Sequence, residues 1–311
     1  MKTICALIAT NSKFNLLKET ILSIKNQTRK LDQLILINDN GPYKKKELEN
    51  LLRATNIPFI IKKNNLTKGL TKSLNIGINF CAQDYIARAD SGDLWHPEKI
   101  MLQEKFLENN PEICCVGSQC SYFSESSDKY TSTSDFPNTP DEIKNALRLI
   151  GKSPASHSSI LIKKEDLNYD ILYKKSQDLD LYLRLISSGK KIANLNKVLS
   201  YVYCDPKGIS IDQKPSQLRY IYRAHHNYNC RLNKLNENRK SIALKTNYDF
   251  LWFFAKPFYK KYVTLNKKNL VIKFFNLLFC LLIYPPLIPF YIFRIKIFNR
   301  IRLFIYACKN I

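Results

Sequence analysis

The sequence predicts an α/β protein with a mostly parallel sheet, and three observations carry that prediction. Short runs of apolar and β-branched residues alternate with longer stretches whose apolar residues recur every three or four positions. Several runs are apolar throughout, as strands covered on both faces are. Polar turns holding carboxylates follow two of the runs directly, and open α/β sheets place their ligands at those strand ends.

The elements follow in order. Residues 4–9 form an apolar run closed by Thr10-Asn11-Ser12, a buried strand ending in a loop. Phe14, Leu17, Ile21 and Ile24 give residues 14–27 a helical face. Residues 34–37 are a second buried strand, ending at Asn38-Asp39-Asn40-Gly41. A helical pattern spans 44–55, a strand 59–61, a helix 70–80 and a strand 85–87. That last strand runs into Arg88-Ala89-Asp90-Ser91-Gly92-Asp93. From about residue 112 the pattern loosens, and the Ser/Thr/Asp-rich stretch 124–139 reads as a long exposed loop. Beyond it the sequence predicts a strand over 159–162 and a helix near 178–188 capped by Gly189. A basic helical stretch follows over 216–235, and no internal repeat is present.

At 311 residues, 45% hydrophobic and 24% charged, the chain has the composition of a folded protein with a substantial core. Its formal net charge of +23 calls for an anionic partner. The last acidic residue is Asp249, so the positive excess sits beside the most apolar part of the chain. Residues 270–293 are nearly all apolar, broken by Lys273, Asn276 and three prolines, and Arg294, Lys296, Arg300 and Arg302 follow among aromatic and aliphatic residues. That mixture suits an anionic membrane surface, in interfacial or re-entrant association, since the prolines interrupt a single clean span. A helical subdomain packed on the catalytic domain is the other reading. No zinc, helix-turn-helix or aromatic RNA-binding pattern is present, so nucleic acid is not the expected partner. Nine cysteines without a Cys-x-x-Cys pair, and an opening too short for a signal core, point to a reducing compartment. The expected location is the cytoplasmic face of the cell membrane. Three regions are expected: a catalytic domain over 1–215, a basic helical region over 216–255 and a membrane-associating tail over 256–311.

Two carboxylates three residues apart at a strand end, Asp90 and Asp93, suit a hard divalent cation that would hold a diphosphate. An Asp-rich turn capping its own backbone uses the same residues. Asp178 opens a helix, where it either caps the backbone or serves as a general base. Gly69, ahead of a helix that contains Asn75, marks a helix N-terminus suited to phosphate. His157 alone is uninformative.

The order of these pieces says more than any one of them. Thr10-Asn11, Asp39, the 69–77 helix, Asp90/Asp93, His157 and Asp178 together resemble the family 2 glycosyltransferases over roughly residues 1–205. These are inverting enzymes of the Rossmann-like GT-A fold. The resemblance implies a nucleotide-sugar donor, UDP- or TDP-linked, and a hydroxyl of a lipid-linked or cell-surface glycan as acceptor. It implies that Thr10, Asn11, Asp39, Lys68, Gly69, Asn75, Arg88, Asp90 and His157 bind the donor, with Asp39 at the base. Asp90 and Asp93 would hold Mn²⁺ or Mg²⁺ at the diphosphate, and Asp178 would be the catalytic base. Two positions depart from the family pattern. Gly92 stands where the metal-ligating Asp is usual, and Gln177 where a Glu often precedes the base. Gly92 is also what a non-catalytic, sugar-nucleotide-binding or scaffolding relative would show.

Overall fold

The computed structural model describes residues 2–64, 69–124, 127–147, 153–204, 214–233 and 270–283. The chain divides into two compact units, one formed by residues 1–143 and 154–204, the other by 144–153 and 205–311.

The first unit opens with three βα repeats: β1 (Ile4–Thr10), α1 (Phe14–Lys25), β2 (Gln33–Asn38), α2 (Lys45–Arg53), β3 (Phe59–Lys63) and α3 (Leu70–Phe80). Next come β4 (Tyr85–Ala89), the short β5 (Leu94–Trp95), α4 (Lys99–Asn109), β6 (Ile113–Ser124), β7 (Ser127–Thr133) and α5 (Pro140–Ala146). A single 3₁₀ turn (His157–Ser159) leads into β8 (Leu161–Lys163), and α6 (Gln177–Ser187) and β9 (Lys191–Tyr203) close the unit. Described by itself, the second unit holds two helices, α7 (Lys214–Leu232) and α8 (Leu270–Ile283).

One sheet runs in the order β3-β2-β1-β4-β8-β6-β9-β5, with β7 paired to β6. Strands β1 to β4 are mutually parallel, β8 runs against β4 and β6, and β9 lies parallel to β6. Six of the nine described strands therefore share one direction, with β5, β7 and β8 opposed. The expected mostly parallel α/β sheet is present. Its core is the apolar runs themselves: every residue of β1 and β4 is buried, and Leu17, Ile21 and Ile24 of α1 pack with Ile4, Ala6 and Ile8. Gly77 lets α3 lie close on the sheet, since a Cβ there would collide with Leu7.

The structure corrects the sequence reading in the middle of the chain. Residues 113–124 are a twelve-residue strand, and much of the expected 124–139 loop is β7, paired in antiparallel register with β6. The β6 strand hid because it buries Ser118, Gln119 and Ser121 along with its apolar residues. Gln119 is satisfied within the protein: its carbonyl accepts from Ser134 Oγ at 2.7 Å and Phe136 N at 2.9 Å, and its amide donates to Phe136 O at 2.8 Å. Helix α4 likewise buries Lys99, Gln103 and Glu104, which erases its apolar period. The α6 helix ends as expected: Gly189 has φ +83°, and the N–H groups of Gly189 and Lys190 donate to Ile186 O and Leu185 O.

Helix α7 covers most of the basic stretch expected over 216–235. Among the described residues no helix is long and apolar enough to cross a membrane, and residues 284–311, with most of the expected basic-aromatic tail, lie outside them.

Candidate active site

Because β1, β2 and β4 are parallel, their carboxyl ends bring Thr10, Asp39 and Asp90 to one edge of the sheet. The antiparallel β8 starts at that edge, which places the His157 turn beside the end of β4; Arg88 N donates to Ile160 O at 3.1 Å.

At the β1 end, Thr10 Oγ1 accepts hydrogen bonds from Ser91 Oγ at 2.7 Å and Ser12 N at 3.1 Å. It also lies 3.1 Å from the hydroxyl of Tyr43, which donates to Ser12 O at 2.6 Å. Thr10 is thus buried and holds the first loop to the Asp90 turn, while Asn11 beside it is exposed. At the β2 end, Asp39 accepts from Gly69 N through both oxygens, at 3.1 Å each. Gly69, at φ +130°, is the N-cap of α3, so a carboxylate already occupies that helix N-terminus. Lys68 lies outside the described residues.

Arg88 is fully buried, an unusual setting for a guanidinium. It donates to Leu7 O at 3.2 Å and to Ala89 O, and it pairs with Asp90 Oδ1 at 2.5 Å. The Asp90 side chain stays 39% exposed, and no described group bonds its second oxygen. Asp93, three residues on, is placed differently. Its Oδ2 accepts from Ser158 Oγ and its Oδ1 from Tyr203 N at 2.8 Å, so both oxygens are taken. Burial, and secondarily the Asp90 charge, pushes the Asp93 carboxyl up to about 7, against the hydrogen bonds and Arg88, which lower it. Gly92 has φ +100°, and a Cβ there would come within 3.0 Å of the Tyr203 ring. The backbone at this position thus calls for glycine where the resemblance implies an aspartate.

His157 is buried, with Nε2 2.6 Å from the Tyr169 hydroxyl and the rings edge-on. Burial, then the Arg88 cation, holds its imidazole down to about 3, so it is neutral. Asn75 grips the backbone of Tyr169 from both sides, its amide donating to Tyr169 O at 2.8 Å and its carbonyl accepting from Tyr169 N at 3.1 Å. Thr71 Oγ1 donates to Tyr173 O at 2.6 Å. Asn75 therefore serves the site by fixing the segment that feeds α6. Ser176, in a left-handed conformation at φ +54°, turns that segment into the helix.

Asp178 is the second residue of α6, after the N-cap Ser176 and Gln177. It keeps some exposed surface, yet its carboxyl is crowded enough that desolvation raises its pKa above the ordinary carboxylate value. The N–H groups of Leu179 and of Asp178 itself oppose the rise, Asp90 adds to it and Arg88 subtracts. Asp178, Asp90 and Arg88, from α6 and β4, thus share one electrostatic neighbourhood. Two residues further on, Asp180 pairs with Arg184 at 2.8 Å and is buried.

The sequence did not reveal Tyr169, Thr71, Ser158 or Tyr203. Each acts through contacts 65 to 110 positions distant, or through a lone hydroxyl that no spacing marks; the one local signal was Ser158 standing beside His157.

A divalent ion held by several protein ligands does not fit, since no cluster of three His, Cys, Asp or Glu side chains suited to a metal occurs among the described residues. An ion held by Asp90 and by the phosphates of a bound diphosphate does fit, because magnesium sites commonly use one or two carboxylates plus substrate oxygens.

The sheet thus carries an arginine-buttressed carboxylate at the edge where open α/β sheets place their ligands, with a raised carboxyl nearby. The chain belongs to glycosyl transferase family 2, whose profile matches residues 5–169. It is a nucleotide-sugar-dependent glycosyltransferase. It is 28% identical over 190 residues to the amylovoran biosynthesis glycosyltransferase AmsE of Erwinia amylovora, covering 60% of this chain and 70% of that one. Over 237 residues it is 26% identical to the UDP-Glc:alpha-D-GlcNAc-diphosphoundecaprenol beta-1,3-glucosyltransferase WfaP of Escherichia coli, covering 74% and 91%. Its fold matches S. aureus TarS 1-349 in complex with UDP-GlcNAc at TM-score 0.58 and 12% identity, over 91% of this chain and 82% of that one. It also matches the mannosyltransferase PcManGT from Pyrobaculum calidifontis, in complex with GDP-Man and Mn²⁺, at TM-score 0.55 and 12% identity, over 71% and 63%. At that identity the two structures speak to fold alone.

Proposed function

We propose that this enzyme transfers a sugar, with inversion, from a UDP- or TDP-sugar to a hydroxyl of a lipid-linked glycan during assembly of a bacterial surface polysaccharide. The observation that carries the reading is the shared neighbourhood of Asp178, Asp90 and Arg88 at one edge of the sheet. The relatives AmsE and WfaP support the polysaccharide setting, and the diphosphoundecaprenol in WfaP's name supports a lipid-linked acceptor.

In this mechanism Asp178 takes the proton from the acceptor hydroxyl as its oxygen attacks the anomeric carbon. The bond from that carbon to the diphosphate oxygen breaks on the opposite face, and the nucleoside diphosphate leaves with both electrons. A base must be unprotonated, so the raised Asp178 pKa puts the acid limb of activity above the ordinary carboxylate range of about 4. Asp90 would hold Mg²⁺ or Mn²⁺ at the diphosphate, where the ion supplies Lewis-acid stabilisation of the departing charge. Arg88 fixes the Asp90 carboxylate through their ion pair. Asp93, with both oxygens spent, keeps the turn closed rather than meeting the ion. His157 and Tyr169 form a neutral wall beside the charged pair. Thr10 and Asn11 border the nucleotide pocket, with Asp39 beside the base. The enzyme works at the cytoplasmic face of the membrane, where such an acceptor is presented.

Calorimetric titration of the full chain with UDP, TDP, GDP and CMP, each with Mg²⁺, Mn²⁺ or EDTA, tests the donor assignment. The expected result is binding of UDP or TDP that EDTA weakens. Binding unaffected by EDTA removes the ion from the mechanism, and preference for GDP or CMP overturns the donor class.

A further inference from the structure

Helix α8 is fourteen residues long, so it spans about 21 Å at 1.5 Å per residue, short of the roughly 30 Å of a bilayer core. Its polarity is one-sided in a way that sequence hydropathy does not show. Phe275, Leu278, Phe279 and Leu282 are 51%, 39%, 49% and 68% exposed. Their spacing of three, one and three positions places them on a single stripe about 100° wide. Asn276 and Cys280, one turn apart on another side of the helix, are buried. Over residues 275–282 the helix is therefore inverted relative to an ordinary surface helix: the polar Asn276 is covered and four large apolar side chains face outward.

The exposure is also concentrated. Of the eight large apolar side chains exposed among the described residues, four lie within these eight positions of α8, while Phe80, Met101, Ile171 and Leu232 are scattered. Isolated exposed apolar residues need no explanation, but a contiguous stripe marks an interaction surface. Charge identifies the occupant. Residues 250–311 contain eleven Lys and Arg and not one Asp or Glu, with Lys267, Lys268 and Lys273 at or near the start of the helix. An apolar protein partner would give no reason for this one-signed charge, whereas an anionic lipid surface attracts each cation near it by about 1 kcal/mol.

We infer that the Phe275/Leu278/Phe279/Leu282 stripe of α8 is the face that inserts into the interfacial layer of an anionic bilayer, with the helix lying in the membrane plane. This deepens the reading that the acceptor is carried by the membrane and rests on it only for the purpose of docking. The two fail separately, because lipid binding and nucleotide binding are read by different assays.

The test is co-sedimentation of the 311-residue chain with vesicles of phosphatidylcholine mixed with anionic phosphatidylglycerol, and with phosphatidylcholine alone. The parent should partition strongly onto the anionic vesicles, and less so as salt is raised. Replacing all four stripe residues with Gln should cut partitioning by about 100-fold or more. It should leave nucleotide binding and the thermal melting profile unchanged, while Leu232→Gln should do nothing. As a second readout, Phe279→Trp should add a blue-shifted emission that brominated acyl chains quench. Unaltered partitioning in the four-residue variant would overturn the assignment, as would equal binding to neutral vesicles. A change from dimer to monomer in sedimentation velocity, without loss of lipid binding, would reassign the stripe to a second copy of the chain.

Discussion

The parallel half of the sheet and its mixed half meet at β4, and they treat carboxylates in opposite ways. Asp39 and Asp90 stand at parallel strand ends, partly exposed: Asp39 accepts from Gly69 N through both oxygens, and Asp90 is held through one oxygen by Arg88. Asp93 and Asp180, on the mixed side, are buried, and Asp93 has both oxygens bonded while Asp180 pairs with Arg184. The difference is one of supply. At the end of β4 the second Asp90 oxygen meets no described group, so charge is left there for a ligand. In the mixed half, β8 and β9 bring Ser158 and Tyr203 alongside and use the charge up. Asp178 stands between the two conditions, partly exposed yet raised, as a general base requires.

Three substitutions around the β4 turn sharpen this contrast. Asp90→Asn removes the carboxylate left for the ligand, and affinity for a nucleoside diphosphate with Mg²⁺ should fall about 10- to 100-fold in calorimetric titration. Gly92→Asp restores the acid implied by the family resemblance. The positive φ and the Tyr203 ring should make it destabilising by about 1–2 kcal/mol, seen as a lower melting temperature, with no gain in ion affinity. Asp93→Asn should be mild in activity and visible mainly in pH dependence. With a folded value near 7, above its unfolded one near 4, Asp93 holds its proton longer in the folded chain. Its contribution to stability is therefore complete below about pH 4 and lost as pH rises through 7. The slope is on the order of 1 kcal/mol per pH unit within that window. Thermal melts of Asp93→Asn between pH 4 and 8 should flatten that slope; an unaltered slope would mean that Asp93 is charged throughout and that its two hydrogen bonds outweigh its burial.

The same boundary divides what the sequence revealed from what it concealed. Strands β1 and β2 are buried through apolar runs, β4 carries Tyr85-Ile86-Ala87 ahead of its buried Arg88, and α3 was legible to its end residues, because in βα repeats burial mostly follows local pattern. In β6 and α4 the buried positions include Gln119, Lys99, Gln103 and Glu104. For two of these the partners are remote: Glu104 meets Arg29, and Gln103 donates to Ser159 O. Pattern cannot report a polar residue whose burial is made tolerable 50 or 70 positions away. The site divides likewise. Asp39, Asp90, Asp93 and Asp178 were legible because strand ends and helix starts have local signatures. That Asp93 is sealed, and that Asn75 and Thr71 hold the approach to Asp178, depends on contacts between distant segments. Exposure on α8 was concealed too, because an almost wholly apolar segment has no polar face by which to tell inside from outside.

The central claim is that Asp178 is the base, and the most direct measurement is Asp178→Asn assayed for both sugar transfer and nucleotide binding. Asparagine keeps the shape and the contact with the helix N-terminus but cannot take a proton. Transfer should fall about 10²- to 10⁴-fold while nucleotide affinity stays within about twofold. The remaining activity should lose the acid limb that Asp178 imposes on the parent. Transfer at the parent rate, with its acid limb intact, would contradict the account and place the base elsewhere at this edge of the sheet.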